Sequence, residues 1–177
     1  MKKGLFSEIP RLEKDGITLS RLLPEHAESL RELIGNPRVY RYLPTFLFEK
    51  KYGNPSEVIR RLYGECLRES MILGVFREGK FAGIAEFYGY REPIHKVSVG
   101  YRLLERCWGQ GIAGKALGMM IRYLEEETDV EIVTAGAMIE NRASARVLEK
   151  NGFTLVAHAV DEDWGYETPT VADKWIR

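Results

Sequence analysis

Three glycines, Gly109, Gly111 and Gly114, fall within six residues between a predicted strand and a predicted helix. A loop of this kind presents unpaired backbone N–H groups at the positive end of the helix dipole, which favours phosphate binding. A purely structural interpretation stays open, in which Gly109 and Gly111 form the turn and Gly114 lets the helix pack against the sheet. Because a turn alone needs fewer glycines, the spacing favours a phosphate-binding loop.

Two known phosphate-binding patterns match this glycine run but not its surroundings. Gly109-x-Gly111-x-x-Gly114 satisfies the dinucleotide-binding fingerprint, yet too little chain follows to build the long parallel sheet of that fold. The same run, with the lysine that follows it, nearly satisfies the P-loop pattern. However, Ala116 replaces the hydroxyl residue that holds Mg²⁺, and the next predicted strand, 132–138, carries no acid for the metal. Neither pattern is supported by its context.

A second motif follows the glycine run further along the chain. It reads Asn-Arg-Ala-Ser at 141–144 and Glu-Lys-Asn-Gly-Phe at 149–153. Upstream, Gly-Tyr-Arg-Leu at 100–103 precedes Trp-Gly-Gln-Gly-Ile-Ala at 108–113. In this order, the motifs resemble the GNAT superfamily of acetyltransferases. The particular resemblance is to its branch of ribosomal-protein N-terminal (alanine or serine) acetyltransferases, in which tryptophan is also common at the position of Trp108.

The resemblance implies that acetyl-coenzyme A (acetyl-CoA) is the cosubstrate and that no metal takes part. The N–H groups of the glycine loop would hold the pyrophosphate. In this fold the strand 99–104 splays from the following strand at a bulge, and its free edge pairs with the pantetheine arm. A backbone N–H there can stabilise the negative charge that grows on the thioester oxygen. The predicted cofactor-binding residues are Tyr101, Arg102, Leu103, Gly109, Gln110, Gly111, Ile112, Ala113, Gly114, Lys115, Asn141 and Ser144.

The helix start at Asn141 supplies the predicted proton donor. Asn141 occupies an N-cap position, where it can cap the helix and also contact the pantetheine or the amine. Ser144 lies in the first turn, near where the family places the sulfur, and many members carry a tyrosine at the position of Leu148. We therefore predict that Ser144 protonates the departing thiolate. A cofactor contact or a plain helix-start residue are the alternatives.

The general base is harder to assign from the sequence. Members that use a carboxylate on the strand before the glycine loop have it at the position of Val97, which cannot accept a proton. His95, which we place on that strand, and Glu86, on the neighbouring strand, are the alternatives. Of these, Glu86 is the predicted catalytic residue. The expected mechanism is direct attack of the amine in a ternary complex, without an acetyl-enzyme, because neither cysteine has an evident base beside it.

The acceptor is an amine whose identity the sequence does not give. An α-amino group with a pKa of about 8 is about one-tenth neutral at pH 7, whereas a lysine with a pKa of about 10.4 is neutral about once in 2,500. An enzyme without an evident strong base is therefore better matched to α-amines, such as protein N-termini, although small-molecule amines fit the same fold. The alternative from another class is a catalytically silent acyl-CoA-binding sensor or scaffold module.

The elements that must position these residues follow from hydrophobic periodicity and capping signals. The class is α/β (α+β): a mixed, mostly antiparallel, splayed sheet of six to seven strands flanked by about four helices. The predicted strands cover 17–22, 71–76, 81–88, 96–103, 132–138, 153–160 and 168–176. The predicted helices begin at Pro24, Asn54, Ala113 and about residue 142, and the second of them carries its apolar stripe as far as Leu67. The segment 36–44 is predicted to be a loop or a short helix.

Composition is typical of an ordinary globular protein. The 177 residues suit a single domain, 1–177, and 26 basic side chains balance 26 acidic ones, so no net field recruits nucleic acid or an anionic membrane. Cys66 and Cys107 form no metal or disulfide pattern, and no signal peptide or membrane span is present. We therefore expect a cytoplasmic enzyme, either a monomer or a homodimer.

Overall fold

The computed structural model describes residues 1–177 and contains five α-helices and eight β-strands. The helices are α1 (Ala27–Ile34), α2 (Pro37–Tyr40), α3 (Pro55–Leu62), α4 (Ile112–Glu127) and α5 (Arg142–Lys150). The strands are β1 (Leu12–Lys14), β2 (Ile17–Ser20), β3 (Ser70–Arg77), β4 (Lys80–Arg91), β5 (Lys96–Leu103), β6 (Ile132–Met138), β7 (Thr154–Glu162) and β8 (Thr170–Ile176). None of the helices is both long and apolar enough to cross a membrane.

All eight strands form one mixed sheet in the order β1-β2-β3-β4-β5-β6-β8-β7. Neighbouring strands are antiparallel except β5 and β6, which are parallel and connected through α4. A single parallel pair excludes the dinucleotide-binding fold. The predicted class is therefore confirmed, but with one more strand and one more helix than expected. The additional strand, β1, contains three residues, which is too short to show a hydrophobic period. The additional helix, α2, has four residues and lies in the segment 36–44, which is predicted to be a loop or a short helix.

Each face of the sheet is covered by its own helices and its own core. On one face, Val97 and Val99 of β5 belong to the same buried cluster as Leu117 and Met120 of α4. The other face packs against α1, α2 and α3 through a separate buried cluster that includes Ile84 of β4. The strands in the middle of the sheet are therefore enclosed on both sides, which means that any polar side chain on them needs a buried partner.

The helix starts near the site are capped as the sequence indicates. Asn54 accepts a hydrogen bond from the Ser56 N–H at 3.0 Å, and Pro55 occupies the first position of α3. The prediction that this helix continues to Leu67 is wrong, because α3 ends at Leu62 and a separate 3-10 turn follows at Cys66–Arg68. Gly64, placed just after the helix, is a typical stop signal that the apolar stripe concealed.

Two details of the central strands also differ from expectation. The β3–β4 hairpin is longer than predicted, since only Glu78 and Gly79, both with positive φ, form the turn between the strands. His95 does not belong to β5. It ends a short 3-10 turn in the left-handed conformation, with φ of 45°, one residue before the strand begins. Its ring lies 3.5 Å from Asp129.

Candidate active site

The glycine loop ends in a series of unpaired backbone N–H groups at the start of α4. Gly109 and Gly111 have φ angles of 69° and 75°, a region that glycine adopts without strain, and Gly111 is the N-cap of α4. None of the N–H groups from Gly109 to Gly114 donates to an acceptor within the protein. Because these donors lie at the positive end of a sixteen-residue helix, they fit an anionic group such as a pyrophosphate.

Gly114 is not required for packing inside the protein. A Cβ atom added at this position would meet no heavy atom within 4 Å, and the backbone there is ordinary helix. The interpretation that Gly114 lets the helix approach the sheet is therefore wrong. The absence of a side chain keeps the space beside the free N–H groups open, as a closely approaching ligand would need.

The side chains around the loop either hold it in place or remain free. The Trp108 indole N–H donates to the Leu103 carbonyl at 3.0 Å, and the Gln110 amide donates to the Arg106 carbonyl at 2.7 Å. Ile112 is buried and Ala113 half-buried against the core, so these two residues would offer a ligand their backbone N–H groups rather than their side chains. Lys115 is exposed and makes no hydrogen bond or ion pair, which leaves its charge available to a phosphate.

The parallel strands β5 and β6 separate beyond Ser98. They pair only from Lys96 to Ser98 on β5, and from Ile132 to Thr134 on β6. From Val99 onward the edge of β5 that faces β6 has no partner strand, as the resemblance implies for the pantetheine arm. The implied bulge, in contrast, does not lie in this part of β5. The register irregularity falls opposite its first residues, between Tyr88 and Arg91 of β4.

A cavity of about 1550 Å³ passes through this gap from one face of the sheet to the other. Single-ligand pockets commonly measure about 300–1,000 Å³, so this one has room for two substrates. On the α4–α5 face it is lined by Tyr101, Asn141 and Ser144. On the α1–α3 face it reaches Glu86 and Arg102. A thioester and an amine could therefore approach each other from opposite faces of the sheet.

The polar groups on the α4–α5 face form a small chain. The side chain of Asn141 accepts a hydrogen bond from the Ser144 N–H at 3.2 Å and so caps α5. The Tyr101 hydroxyl lies 3.5 Å from the Ser144 hydroxyl. Burial raises the pKa of Tyr101 above its ordinary value, and the contact with Ser144 only partly offsets this. Tyr101 therefore remains a neutral hydroxyl beside the predicted proton donor at physiological pH.

Arg102 is buried and its side chain is fully engaged on the opposite face. Its guanidinium binds both oxygens of Glu49, at 2.6 and 2.7 Å, and one oxygen of Glu86 at 2.7 Å. Only the backbone of Arg102 therefore remains for the predicted role in cofactor binding. Glu49 is not among the predicted site residues. The available signal in the sequence was Arg102 itself, because a charged residue on a central strand needs a buried partner.

This cluster contains one positive and two negative side chains. Burial by itself would lower the pKa of Arg102, but Glu49 and Glu86 outweigh it and hold that pKa above its usual range. Burial would likewise raise the pKa of Glu49, but the Arg102 guanidinium keeps it below its usual value. The Tyr40 hydroxyl donates a further hydrogen bond to Glu49 at 3.0 Å. Arg102 and Glu49 therefore both stay ionised.

Glu86 and Glu162 are two of the carboxylates that line the cavity. Glu86 is 5% exposed, and no protein donor reaches its second oxygen. Glu162, at the end of β7, also lines the cavity, accepts a hydrogen bond from the Trp164 indole N–H at 3.1 Å and pairs with Lys174. Glu162 is not among the predicted site residues, because nothing along the chain shows that β7 returns to the gap between β5 and β6. His95 does not line the cavity.

The buried thiol in the cavity wall is a poor nucleophile. Cys66 is 4% exposed, and burial, followed by the charges of Glu86 and Glu49, raises its pKa to about 12. We expect incubation with acetyl-CoA alone to leave Cys66 and Cys107 unmodified in intact-mass spectra. A stoichiometric adduct that disappears when an amine is added would contradict direct transfer. No cluster of three or more His, Cys, Asp or Glu side chains is placed to hold a metal ion.

Comparison with known proteins places this geometry in a family. Residues 17–154 match the family described as Acetyltransferase (GNAT) domain. An uncharacterised N-acetyltransferase from Bacillus subtilis, YoaA, is 23% identical over 148 residues, which cover 81% of this chain and 82% of that protein. The ribosomal-protein-serine acetyltransferase of Escherichia coli is 30% identical over 82 residues, covering 46% of this chain and 45% of that protein.

Solved structures share the whole fold at low sequence identity. The ribosomal L7/L12 α-N-protein acetyltransferase RimL, solved with coenzyme A, superposes with a TM-score of 0.81 at 18% identity, covering 95% of this chain and 97% of that one. The microcin C7 self-immunity acetyltransferase MccE, solved with acetyl-CoA and AMP, gives 0.79 at 18% identity and covers 93% of both chains. Since the family match covers most of the sequence and contains both the glycine loop and Ser144, the chain belongs to the GNAT family of acetyltransferases.

Proposed function

We propose that this acetyltransferase moves an acetyl group from acetyl-CoA to the α-amine of a protein N-terminus. The observation that carries the proposal is the cavity through the gap between β5 and β6, which reaches Ser144 on one face and Glu86 on the other. Ribosomal-protein acetyltransferases among the relatives support this acceptor class. Such acceptors are made in the cytoplasm, where we expect the enzyme to act.

The residues of the chain fit the cosubstrate at three points. The free N–H groups of the glycine loop suit the pyrophosphate, and the unpaired edge of β5 beyond Ser98 suits the amides of the pantetheine arm. When bound, acetyl-CoA supplies the thioester that the amine attacks. Ser144 and Asn141 line the cavity on that face, so a thiolate leaving there would meet the Ser144 hydroxyl.

The amine side offers carboxylates rather than a histidine. The unpaired oxygen of Glu86 can bind the ammonium form of an entering amine and accept its proton. Glu162 stands at the same cavity but is already bound by Lys174 and Trp164, so its oxygens are less available. We therefore retain Glu86 as the proposed base. The Arg102 guanidinium already occupies one Glu86 oxygen, so a single oxygen of that carboxylate is left to accept a proton, and the site suits an acceptor that loses its proton readily, which favours α-amines over lysines.

A peptide panel tests the acceptor class. At pH 7 we expect peptides with a free N-terminus and no lysine to exceed N-blocked peptides with one lysine by about 100-fold or more in kcat/KM, since the neutral fractions differ by about 250-fold. Release of free coenzyme A measures turnover, and the same panel should include polyamines and aminoglycosides. Equal or better turnover of the lysine peptides would contradict the proposal. Tight binding of acetyl-CoA without turnover of any amine would favour a silent binding module.

A further inference from the structure

The segment between α2 and α3, residues 41–54, forms a roof over the amine side of the cavity. Tyr42, Leu43, Pro44, Phe46, Leu47 and Phe48 of this roof segment all line the cavity. The segment contains little regular structure, only the 3-10 turn Phe48–Lys50. A segment with so few backbone hydrogen bonds of its own depends on other contacts to keep one position.

One edge of the roof segment is fixed to the sheet by charge. Glu49 sits in the 3-10 turn and is 1% exposed, and its carboxylate receives the paired hydrogen bonds of Arg102 described above. A bidentate guanidinium–carboxylate pair fixes direction as well as distance. Arg102 belongs to β5, the strand whose free edge faces the gap. The roof is thus attached to the strand that is proposed to bind the pantetheine arm.

The other edge of the roof segment is fixed to the loop between β7 and β8. The backbone N–H and the hydroxyl of Thr45 both donate to the Trp164 carbonyl, at 2.9 and 3.0 Å. The Tyr166 hydroxyl donates to the Leu43 carbonyl at 2.7 Å. The roof therefore spans the gap, with a charged attachment on the β5 side and neutral hydrogen bonds on the β8 side.

We propose that Arg102 is a positioning residue, which holds the roof segment over the gap through Glu49 and at the same time orients Glu86 toward the acceptor amine. The proposal rests on the proposed function and names the part of the protein that sets acceptor affinity. The Arg102 guanidinium binds both Glu49 and Glu86. The same side chain therefore holds the roof segment, which would contact the acceptor, and the carboxylate that is proposed to receive the acceptor's proton. Acetyl-CoA would contact the glycine loop and the backbone edge of β5, so we expect its affinity to depend little on the Arg102 side chain.

Glu49→Gln is the main test, because it keeps the shape of the side chain and removes the charge. We expect the KM for an α-amine peptide to rise by about tenfold or more, the loss typical of a hydrogen bond to a charged group. The acetyl-CoA Kd should change by less than about twofold, since the glycine loop is untouched. The matched control is Glu57→Gln, which removes an exposed ion pair with Arg60 and Arg61 on α3 and should leave both values unchanged.

Hydrogen exchange gives a readout that does not need turnover. In Glu49→Gln with acetyl-CoA bound, amides in the roof segment should exchange faster, while those of β5 and α4 keep the wild-type rate. Arg102→Lys should likewise raise the peptide KM and speed hydrogen exchange in the roof segment, because a lysine cannot form the bidentate pair with Glu49. The variant that carries both Glu49→Gln and Arg102→Lys should show no larger change in KM or exchange than Arg102→Lys alone, because the two residues act as one unit.

The outcomes separate the two proposals. If the wild-type protein acetylates no amine, the proposed function fails, while the exchange measurement still tests the attachment of the roof. An unchanged peptide KM in Glu49→Gln would overturn the role of Arg102. So would a loss of acetyl-CoA affinity equal to the rise in KM, or faster exchange throughout the chain, since either would make Glu49 and Arg102 a general support of the fold.

Discussion

Gly114→Glu is expected to abolish the binding of acetyl-CoA while leaving the fold intact. The new carboxylate would enter the open space beside the free N–H groups, where it would fill the phosphate site and repel the pyrophosphate. Like charges placed together cost several kcal/mol, so the Kd measured by calorimetry should rise by about 100-fold or more. Replacing a glycine in the first turn by an acidic residue should meanwhile hold or raise the Tm.

This position is a sharper probe than Gly111, whose positive φ would add backbone strain to any substitution. Gly64→Glu is the matched control. Gly64 is exposed, has equally open space at its Cβ position and lies outside the glycine loop, so the same added charge should leave acetyl-CoA affinity unchanged. Undiminished affinity in Gly114→Glu would show that the loop does not hold the pyrophosphate.

Ser144→Ala is expected to lower kcat by about 100-fold or more, in line with the usual contribution of a general acid. Acetyl-CoA affinity should change by no more than about 1.5 kcal/mol, the value of a single hydrogen bond. The physical reason is the position of the hydroxyl, which lines the cavity on the face proposed for the thioester. Single-turnover kinetics at saturating acetyl-CoA, with separate calorimetry, distinguishes the chemical step from binding.

Tyr101 supplies the companion variant. Because its hydroxyl lies 3.5 Å from Ser144 and burial keeps it protonated, Tyr101 can return a proton to the serine after transfer. Tyr101→Phe should therefore lower kcat, and the double variant should be about as slow as Ser144→Ala alone. If affinity collapses in Ser144→Ala while kcat at saturation holds, Ser144 is a cofactor contact. If neither kcat nor acetyl-CoA affinity changes, the Ser144 hydroxyl takes no part in catalysis or binding and is only a residue at the start of α5.

The buried Arg102 cluster gives the two faces of the sheet different properties. Ionised groups in a protein interior rarely add much stability over well-packed apolar side chains, and in some proteins they fix a defined geometry instead. Here the geometry concerns the roof segment and Glu86, both on the face proposed for the amine. The face proposed for the thioester, in contrast, contains neutral hydroxyls and free backbone donors.

Local signals in the sequence predicted most of the fold. The strands β5 and β6 and the helix α5 have the predicted bounds, because the period of two, the period of 3.6 and the asparagine cap at residue 141 agree there. The errors occur where local signals are weak. A three-residue strand was missed, the four-residue helix α2 was predicted only as a loop or a short helix, and a helix was extended across Gly64 because apolar residues continued beyond it.

The candidate site likewise contains features that local sequence signals predict and features that they do not. The sequence by itself determined the glycine loop and the start of α5, since both are continuous motifs in which glycine conformation and capping act within a few residues. Only the tertiary structure brought Glu49, Glu86 and Arg102 together, set the Tyr101 hydroxyl beside Ser144 and placed Glu162 at the cavity. Such contacts join residues far apart in the chain. The period of two gives the face that a strand residue occupies, but which strands and loops are neighbours is not encoded by any local pattern of residue types.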